Sequence, residues 1–337
     1  MKRKDMIMRK ALKITGIVFL VLFAAAAAAL IYFSSTFPKV DPASDVKIQA
    51  TRERIERGRY LANHVTLCMD CHSSRDWTRF TGPLIPGTEG RGGERFDHTI
   101  GVPGTVYARN ITPYNLKNWT DGEISRLIAT GVTKDGRVLF PLMPYPNYSL
   151  MSEEDIYSIV AYIRTLKPIE SSFPDSELDF PLNFIVKTIP QPYVARKAPD
   201  KSNSVEYGKY LVSIAACADC HTPREKGEFI KGMDFAGGTS MKVPWGTVRP
   251  ANITPDMETG IGSWKKSDFI RRFKAFASDS SMGKVNKNEF NTIMPWSFFA
   301  GMTEEDLGAI YDYLRTVKPV RNQVIRFSPF EEMEAVR

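Results

Sequence analysis

The sequence predicts an all-α protein in which two tandem copies of one helical domain follow a single N-terminal transmembrane helix. Three observations predict it. Residues 14–33 form a 20-residue segment without a single charge, directly after a basic N-terminus. Short motifs then recur in the same order, with a period near 150 residues. Between the motifs lie helix-start signals followed by apolar residues at helical spacing.

The N-terminal segment comes first. The 337-residue chain carries a formal charge of +7, which by itself could suggest a nucleic-acid partner. Lys2, Arg3, Lys4, Arg9, Lys10 and Lys13 contribute +6 and Asp5 −1, so residues 1–13 account for +5 and leave only +2 for the remainder. The charge is therefore a topology signal, and no nucleic-acid partner is expected. As a helix, residues 14–33 reach ~30 Å, the thickness of a bilayer's hydrocarbon core. The basic flank puts residues 1–13 in the cytoplasm and everything after residue 34 outside. A cleaved signal peptide competes, because residues 24–29 offer small side chains to a peptidase. The apolar run continues through residues 30–33, past the ~7–15 residues of a signal core, and favours an uncleaved anchor in contact with membrane lipid. The expected location is a bacterial inner (cytoplasmic) membrane, single-pass, with the rest of the chain on the periplasmic side. Residues 34–50 read as a tether.

The duplication follows. Gly58-Arg-Tyr60-Leu61 recurs as Gly208-Lys-Tyr210-Leu211, and Cys68-Met-Asp-Cys71-His72 as Cys217-Ala-Asp-Cys220-His221. Asn110-Ile-Thr-Pro113 recurs as Asn252-Ile-Thr-Pro255, Met143-Pro144 as Met294-Pro295, and Met151-Ser-Glu-Glu-Asp155 as Met302-Thr-Glu-Glu-Asp306. The expected boundaries are 51–168 for the first domain, 169–203 for a linker with five prolines, 204–319 for the second domain and 320–337 for a tail. Opening helices are expected over 53–65 and 205–215. Thr120-x-x-Glu123 is a capping box for a helix to about Thr130, and its counterpart after Trp264 starts near Ser267. Ser152 is the expected N-cap of the closing helix, with Met151 stapling onto Ile156 and a stripe of Ile156, Ile159, Val160 and Ile163. Met302, Thr303, Leu307, Ile310 and Leu314 repeat that arrangement. Long Gly- and Pro-rich loops such as 81–104 suit wrapping around a large prosthetic group.

Cys-x-x-Cys-His is the signature of covalent c-type haem attachment. Two thiols one helical turn apart reach two vinyl groups on one porphyrin edge, and the adjacent imidazole becomes the proximal iron ligand. Zinc and a thioredoxin-like redox pair compete, but neither requires a His after the second Cys in both copies. All four cysteines fall in these motifs, so Cys68, Cys71, Cys217 and Cys220 are expected to hold two haem c groups, with His72 and His221 on the irons. The sixth ligand lies far along the chain. Residues 204–319 contain no His beyond His221 and no further Cys, which leaves Met, Lys or an open site. Met143 and Met294 lie 71 and 73 residues after their His, and a thioether suits haem iron and raises its potential. Met is more often core filler, but Met143 and Met294, unlike the staples Met151 and Met302, have no evident structural task. His98 is the rival to Met143. His64, on the opening helix, reads as a surface residue or one beside the site. Asp70 and Asp219 read as solvent-facing filler, and Trp77, Trp119, Trp245, Trp264 and Trp296 as lining for haem pockets or cores.

With these motifs in hand, residues 51–319 resemble a tandem class I cytochrome c. The resemblance implies that a Gly and an aromatic of each opening helix cross the closing helix, Gly58 and Tyr60 facing Tyr162, Gly208 and Tyr210 facing Tyr313. A narrower resemblance rests on residues 252–264, Asn-Ile-Thr-Pro-Asp-Met-Glu-Thr-Gly-Ile-Gly-Ser-Trp. It is similar to the cytochrome subunits of membrane-bound alcohol, aldehyde and gluconate dehydrogenases, and implies a dehydrogenase or quinol donor and a cytochrome or oxidase acceptor.

Two functions follow. With two protein ligands on each iron the chain relays single electrons and is not itself an enzyme. A catalytic haem, peroxidase-like or oxidising a small sulfur compound, needs an open position and a nearby base, and would use the first copy, with His64 and His98. A gas or redox sensor with an exchangeable Met lacks an attached signalling domain.

Overall fold

A computed structural model describes residues 2–286 and 289–329. The first helix, Lys2–Thr36, stands clear of the rest, and Arg3–Thr36 is long and apolar enough to cross a membrane. That fits a single-pass anchor.

Beyond it, one order of helices occurs twice. In the first half an opening helix, Arg52–Tyr60, runs on as a π-helical turn, Leu61–Val65, into a motif helix, Cys68–Cys71; a middle helix, Asp121–Thr130, and a closing helix, Glu153–Ile163, follow. The second half has Ser204–Ile214, Cys217–His221, Lys266–Lys274 and Glu304–Leu314 in the same roles. Local chemistry starts these helices. The Thr51, Ser152, Asn203 and Thr303 side chains each accept from an amide three residues on, and Thr120 with Glu123 closes the expected capping box. The second middle helix starts at Lys266, one residue before the expected Ser267, because Asp268 caps the Lys265 amide.

Glycine lets the opening and closing helices touch backbone to backbone. A Cβ on Gly58 would lie 1.8 Å from the Ser158 carbonyl oxygen and 2.9 Å from the Tyr162 Cβ; one on Gly208 would lie 1.9 Å from the Ala309 oxygen. The aromatic partners differ from expectation. Tyr60 does not turn to Tyr162 but donates to Asp306 Oδ2 at 2.6 Å in the other half, and accepts from the Thr303 amide. Tyr210 mirrors it, donating to Asp155 Oδ2 at 2.5 Å and accepting from the Ser152 amide. Each opening-helix tyrosine thus reaches the N-terminus of the other half's closing helix.

One apolar cluster runs through both halves, with Leu61, Met69, Met151, Ile156 and Ile159 of the first and Tyr207, Leu211, Met302, Leu307 and Ile310 of the second. Both Met staples are fully buried in it.

The all-α expectation needs correction, because three small antiparallel sheets close the loops among the described residues. Gly104–Tyr107 pairs with Arg95–Phe96 and with Glu177–Leu178; Arg224–Glu225 pairs with Glu228–Phe229; Gly246–Val248 pairs with Met241–Val243 and Phe327–Ser328. Segments 169–203 and 320–337, expected as linker and tail, each lend a strand, and Val186 packs with Val132 and Val138. Residues 330–337 of that tail lie outside the described residues.

Candidate functional site

Each Cys-x-x-Cys-His motif begins at a sharp corner. Leu67 (φ 56°) and Ala216 (φ 55°) take the left-handed conformation that ends one helix and starts the next. The two cysteines of each motif, three residues apart on one turn, then share a face. None of the four is in a disulfide, and all are partly buried. Burial pushes the Cys68 and Cys71 thiols up, Cys217 to about 12 and Cys220 to about 11, so they stay protonated at neutral pH and are poor thiolate nucleophiles.

The two histidines are oriented alike. His72 Nδ1 lies 2.6 Å from the Arg109 carbonyl oxygen, and His221 Nδ1 lies 2.8 Å from that of Ala251. A carbonyl can only accept, so Nδ1 carries the proton and Nε2 keeps its lone pair. Burial lowers both imidazoles' affinity for a second proton. The two carbonyls sit directly before the repeated Asn-Ile-Thr-Pro motif, which explains that repeat. Asn110 Oδ1 accepts from the Thr112 amide (2.8 Å) and hydroxyl (2.7 Å), while its Nδ2 donates to the Ile169 oxygen at 2.7 Å. Asn252 does the same with Thr254 (2.9 and 2.8 Å) and the Val320 oxygen (2.7 Å). Each buried Asn thus pins the His-orienting carbonyl to the chain beyond the closing helix. The recurrence of the motif was visible in the sequence; its role was not.

Met143 and Met294 are partly buried against the same apolar cluster as Cys68 and Cys217. Each sits in a tight turn, its carbonyl accepting from the amide two residues on, Tyr145 at 2.7 Å and Trp296 at 2.8 Å. Those two residues occupy equivalent positions, and among the described residues the Tyr145 hydroxyl and the Trp296 Nε1 are both buried without a hydrogen-bond partner. Orphaned polar groups are rare in folded proteins, so a pair at equivalent places calls for an explanation. They fit a prosthetic group with a polar rim seated beside each Met-Pro, as do four protonated, unpaired thiols and two oriented imidazoles.

The other residues singled out in the sequence are held by partners of their own. His98, the rival to Met143, lies in an exposed turn with Nε2 2.7 Å from Asp179 Oδ2. His64 is not at a free surface; its Nδ1 meets the Phe298 oxygen of the other half at 2.8 Å. Asp70 and Asp219 are not filler. Asp70 forms an enclosed ion pair with Arg75, whose guanidinium lies 4.0 Å from the Trp77 ring centroid. Asp219 pairs with Arg224 and accepts from Asn147 Nδ2 at 2.8 Å, linking the second motif to the chain just beyond Met143.

Residues 205–318 match the family model described as cytochrome c. The chain is 28% identical over 322 residues to the fructose dehydrogenase cytochrome subunit of Gluconobacter japonicus, covering 88% of this chain and 59% of that one. It is 28% identical over 284 residues to the cytochrome c subunit of the quinone alcohol dehydrogenase of Gluconacetobacter polyoxogenes, covering 79% and 56%. It is 27% identical over 267 residues to a diheme cytochrome c-type protein of Cereibacter sphaeroides, covering 75% and 82%. The chain spans less than two thirds of the length of the first two relatives.

Proposed function

We propose that this chain, which carries a cytochrome c domain at residues 205–318 and is similar to the cytochrome c subunits of dehydrogenases, is a membrane-anchored di-haem electron relay. Cys68 and Cys71 would hold one haem c and Cys217 and Cys220 a second. His72 and His221 would ligate the irons together with Met143 and Met294. The observation that carries the reading is the repeated motif helix with its imidazole tied through Nδ1 to a backbone carbonyl, at Arg109 and again at Ala251. The relative of which this chain covers 82% is described as diheme, which supports the count.

Bound haem supplies a one-electron iron couple. The chain's own residues do the rest. The four thiols would fix one edge of each ring. The carbonyls of Arg109 and Ala251 hold each imidazole in one tautomer and one orientation. The Met143 and Met294 thioethers would favour the reduced state and raise the potential. The shared apolar cluster keeps water out from between the halves. Residues 2–36 would anchor the relay in a bacterial inner membrane, haem sites outward, within reach of a dehydrogenase donor and a cytochrome or oxidase acceptor.

The test is a haem count and an optical spectrum. Mass spectrometry of the intact chain should find two covalent haems, and one after Cys217→Ser with Cys220→Ser. The near-infrared methionine-to-iron band should be present, should fall by half in Met143→Ala or Met294→Ala, and carbon monoxide should leave the reduced wild type unchanged. A single haem, or carbon monoxide binding to the intact protein, overturns the relay reading.

A further inference from the structure

The second half's methionine turn is not held by its own half alone. Residues 75–82 of the first half leave the Cys68–Cys71 motif and lie across the second half. The Phe80 amide donates to the Gly283 oxygen and the Val285 amide to the Thr78 oxygen, both at 2.9 Å, with Arg79 bridged to Lys284. Arg79 grips the rim, donating to Asp279 Oδ1 at 2.7 Å and to the Met282 oxygen at 2.9 Å. The Phe80 ring packs on Phe276 and Phe290.

This strap ends on Thr81, which is fully buried and held at φ 61°. A β-branched residue in the left-handed region is an outlier that persists only where its surroundings enforce it. Here they do. The Thr81 amide donates to Asn291 Oδ1 at 2.8 Å, and Asn291 Nδ2 donates back to the Arg79 oxygen at 3.2 Å. The Thr81 hydroxyl is thereby aimed into the Met-Pro turn. It donates to the Met294 oxygen at 2.6 Å and accepts from the Trp296 amide at 3.1 Å, so one side chain ties both sides of Pro295.

Among the described residues the first half has no equivalent strap. Among the described residues the Met143 carbonyl takes only the Tyr145 amide. After the second motif, where the strap would recur, stands an exposed hairpin, Arg224–Glu225 with Glu228–Phe229.

We propose that Thr81 is a positioning residue for Met294, so that the first half controls whether the second half keeps its methionine ligand. The proposal rests on the reading of Met294 as an iron ligand. A thioether is a weak ligand, and whether it stays bound depends on how firmly the chain holds the sulfur in reach. A strained, buried residue with a hydroxyl on both sides of the turn is a means of holding it.

The experiment compares Thr81→Val, Thr81→Ser, Arg79→Ala and Met294→Ala in the haem-loaded full chain. It reads the near-infrared methionine-to-iron band and the fraction of reduced haem that takes up carbon monoxide. Thr81→Val keeps the shape and removes the hydroxyl; Thr81→Ser keeps the hydroxyl. The expected result is loss of up to half of the band in Thr81→Val, with carbon monoxide reaching one haem of two, and a wild-type band in Thr81→Ser. Met294→Ala marks the share of the band that belongs to the second half. A wild-type band and no carbon monoxide uptake in Thr81→Val, while Met294→Ala loses half, overturn the proposal and spare the ligand reading. An unchanged band in Met294→Ala overturns the ligand reading itself. If Thr81→Val does not accumulate, Arg79→Ala decides: it loosens the strap from outside, and a carbon-monoxide-reactive fraction no higher than wild type overturns the proposal.

Discussion

The two tyrosines that cross between the halves make an unequal pair, and the inequality can be tested. Tyr60→Phe and Tyr210→Phe each remove one hydroxyl that donates to a buried carboxylate and accepts from a helix N-terminal amide. What remains differs. Asp155 keeps Arg57, which donates to both its oxygens at 2.8 and 3.0 Å. Among the described residues Asp306, fully buried, keeps only the Lys201 ammonium at 3.7 Å, beyond hydrogen-bond range. A hydrogen bond to a charged group contributes ~1.5–3 kcal/mol, and a buried charge left without partners costs more than one that retains them. Tyr60→Phe should therefore cost about 2–3 kcal/mol and Tyr210→Phe about 1–1.5 kcal/mol. Urea unfolding of the haem-loaded chain, followed by far-ultraviolet circular dichroism, gives both values side by side. If Tyr210→Phe costs as much as Tyr60→Phe, or if neither exceeds ~0.5 kcal/mol, the account of this interface is wrong.

Further predictions follow from the same geometry. In Gly208→Ala the new Cβ meets the Ala309 oxygen at 1.9 Å, so the crossing helices must separate; the expected loss is ~2–3 kcal/mol, and a melting temperature equal to wild type would contradict the crossing. Cleaving the haem-loaded protein just after residue 36 should release it from the membrane pellet to the soluble fraction without changing its absorption spectrum; retention in the pellet would point to a second membrane contact. His64 is held below the ordinary imidazole pKa, first by burial and then by Lys274, against the pull of the Phe298 carbonyl. The unfolded chain then takes the proton first, so His64's contribution is complete above about pH 6.5 and is lost as pH falls toward the lower, folded pKa. His64→Gln retains a donor for Phe298 and should flatten the fall in melting temperature between about pH 7 and 5; an unchanged slope refutes it.

What could be read in the sequence was what is decided locally. The caps at Ser152, Thr303 and Thr120 depend on residues three apart, and the closing-helix stripes on a period of 3.6, so both were legible. The sheets were not, because strands such as Arg95–Phe96 and Glu177–Leu178 have two residues each and no alternation to detect. The tyrosines misled for a subtler reason. In a repeat, a contact within each copy and the same contact exchanged between copies leave the same pattern, so Tyr60 could not be assigned to Tyr162 or to Asp306 by inspection. Asn110 and Asn252 were conspicuous as a repeat, yet their effect passes through the carbonyls of Arg109 and Ala251, and a carbonyl has no signature in a sequence. Thr81 had no signal at all, since nothing in the second half corresponds to it.

The symmetric and asymmetric contacts do different work. The Tyr60–Asp306 and Tyr210–Asp155 pairs are related by the duplication and fix how the halves meet. The strap and His64 run one way only, from the first half onto the second. On the proposed reading both irons have the same ligands, so ligand type cannot set their potentials apart, and a preferred direction of electron flow must come from surroundings. The acid–base pairs beside the motifs supply such a difference. Asp70 and Arg75 are enclosed, with side chains 15% and 5% exposed; Asp219 and Arg224 are 34% and 38% exposed. A pair shielded from water acts on a neighbouring charge through a lower effective dielectric than a hydrated pair does. On that reading the two sites share one ligand set, and the one-sided contacts give each its own environment.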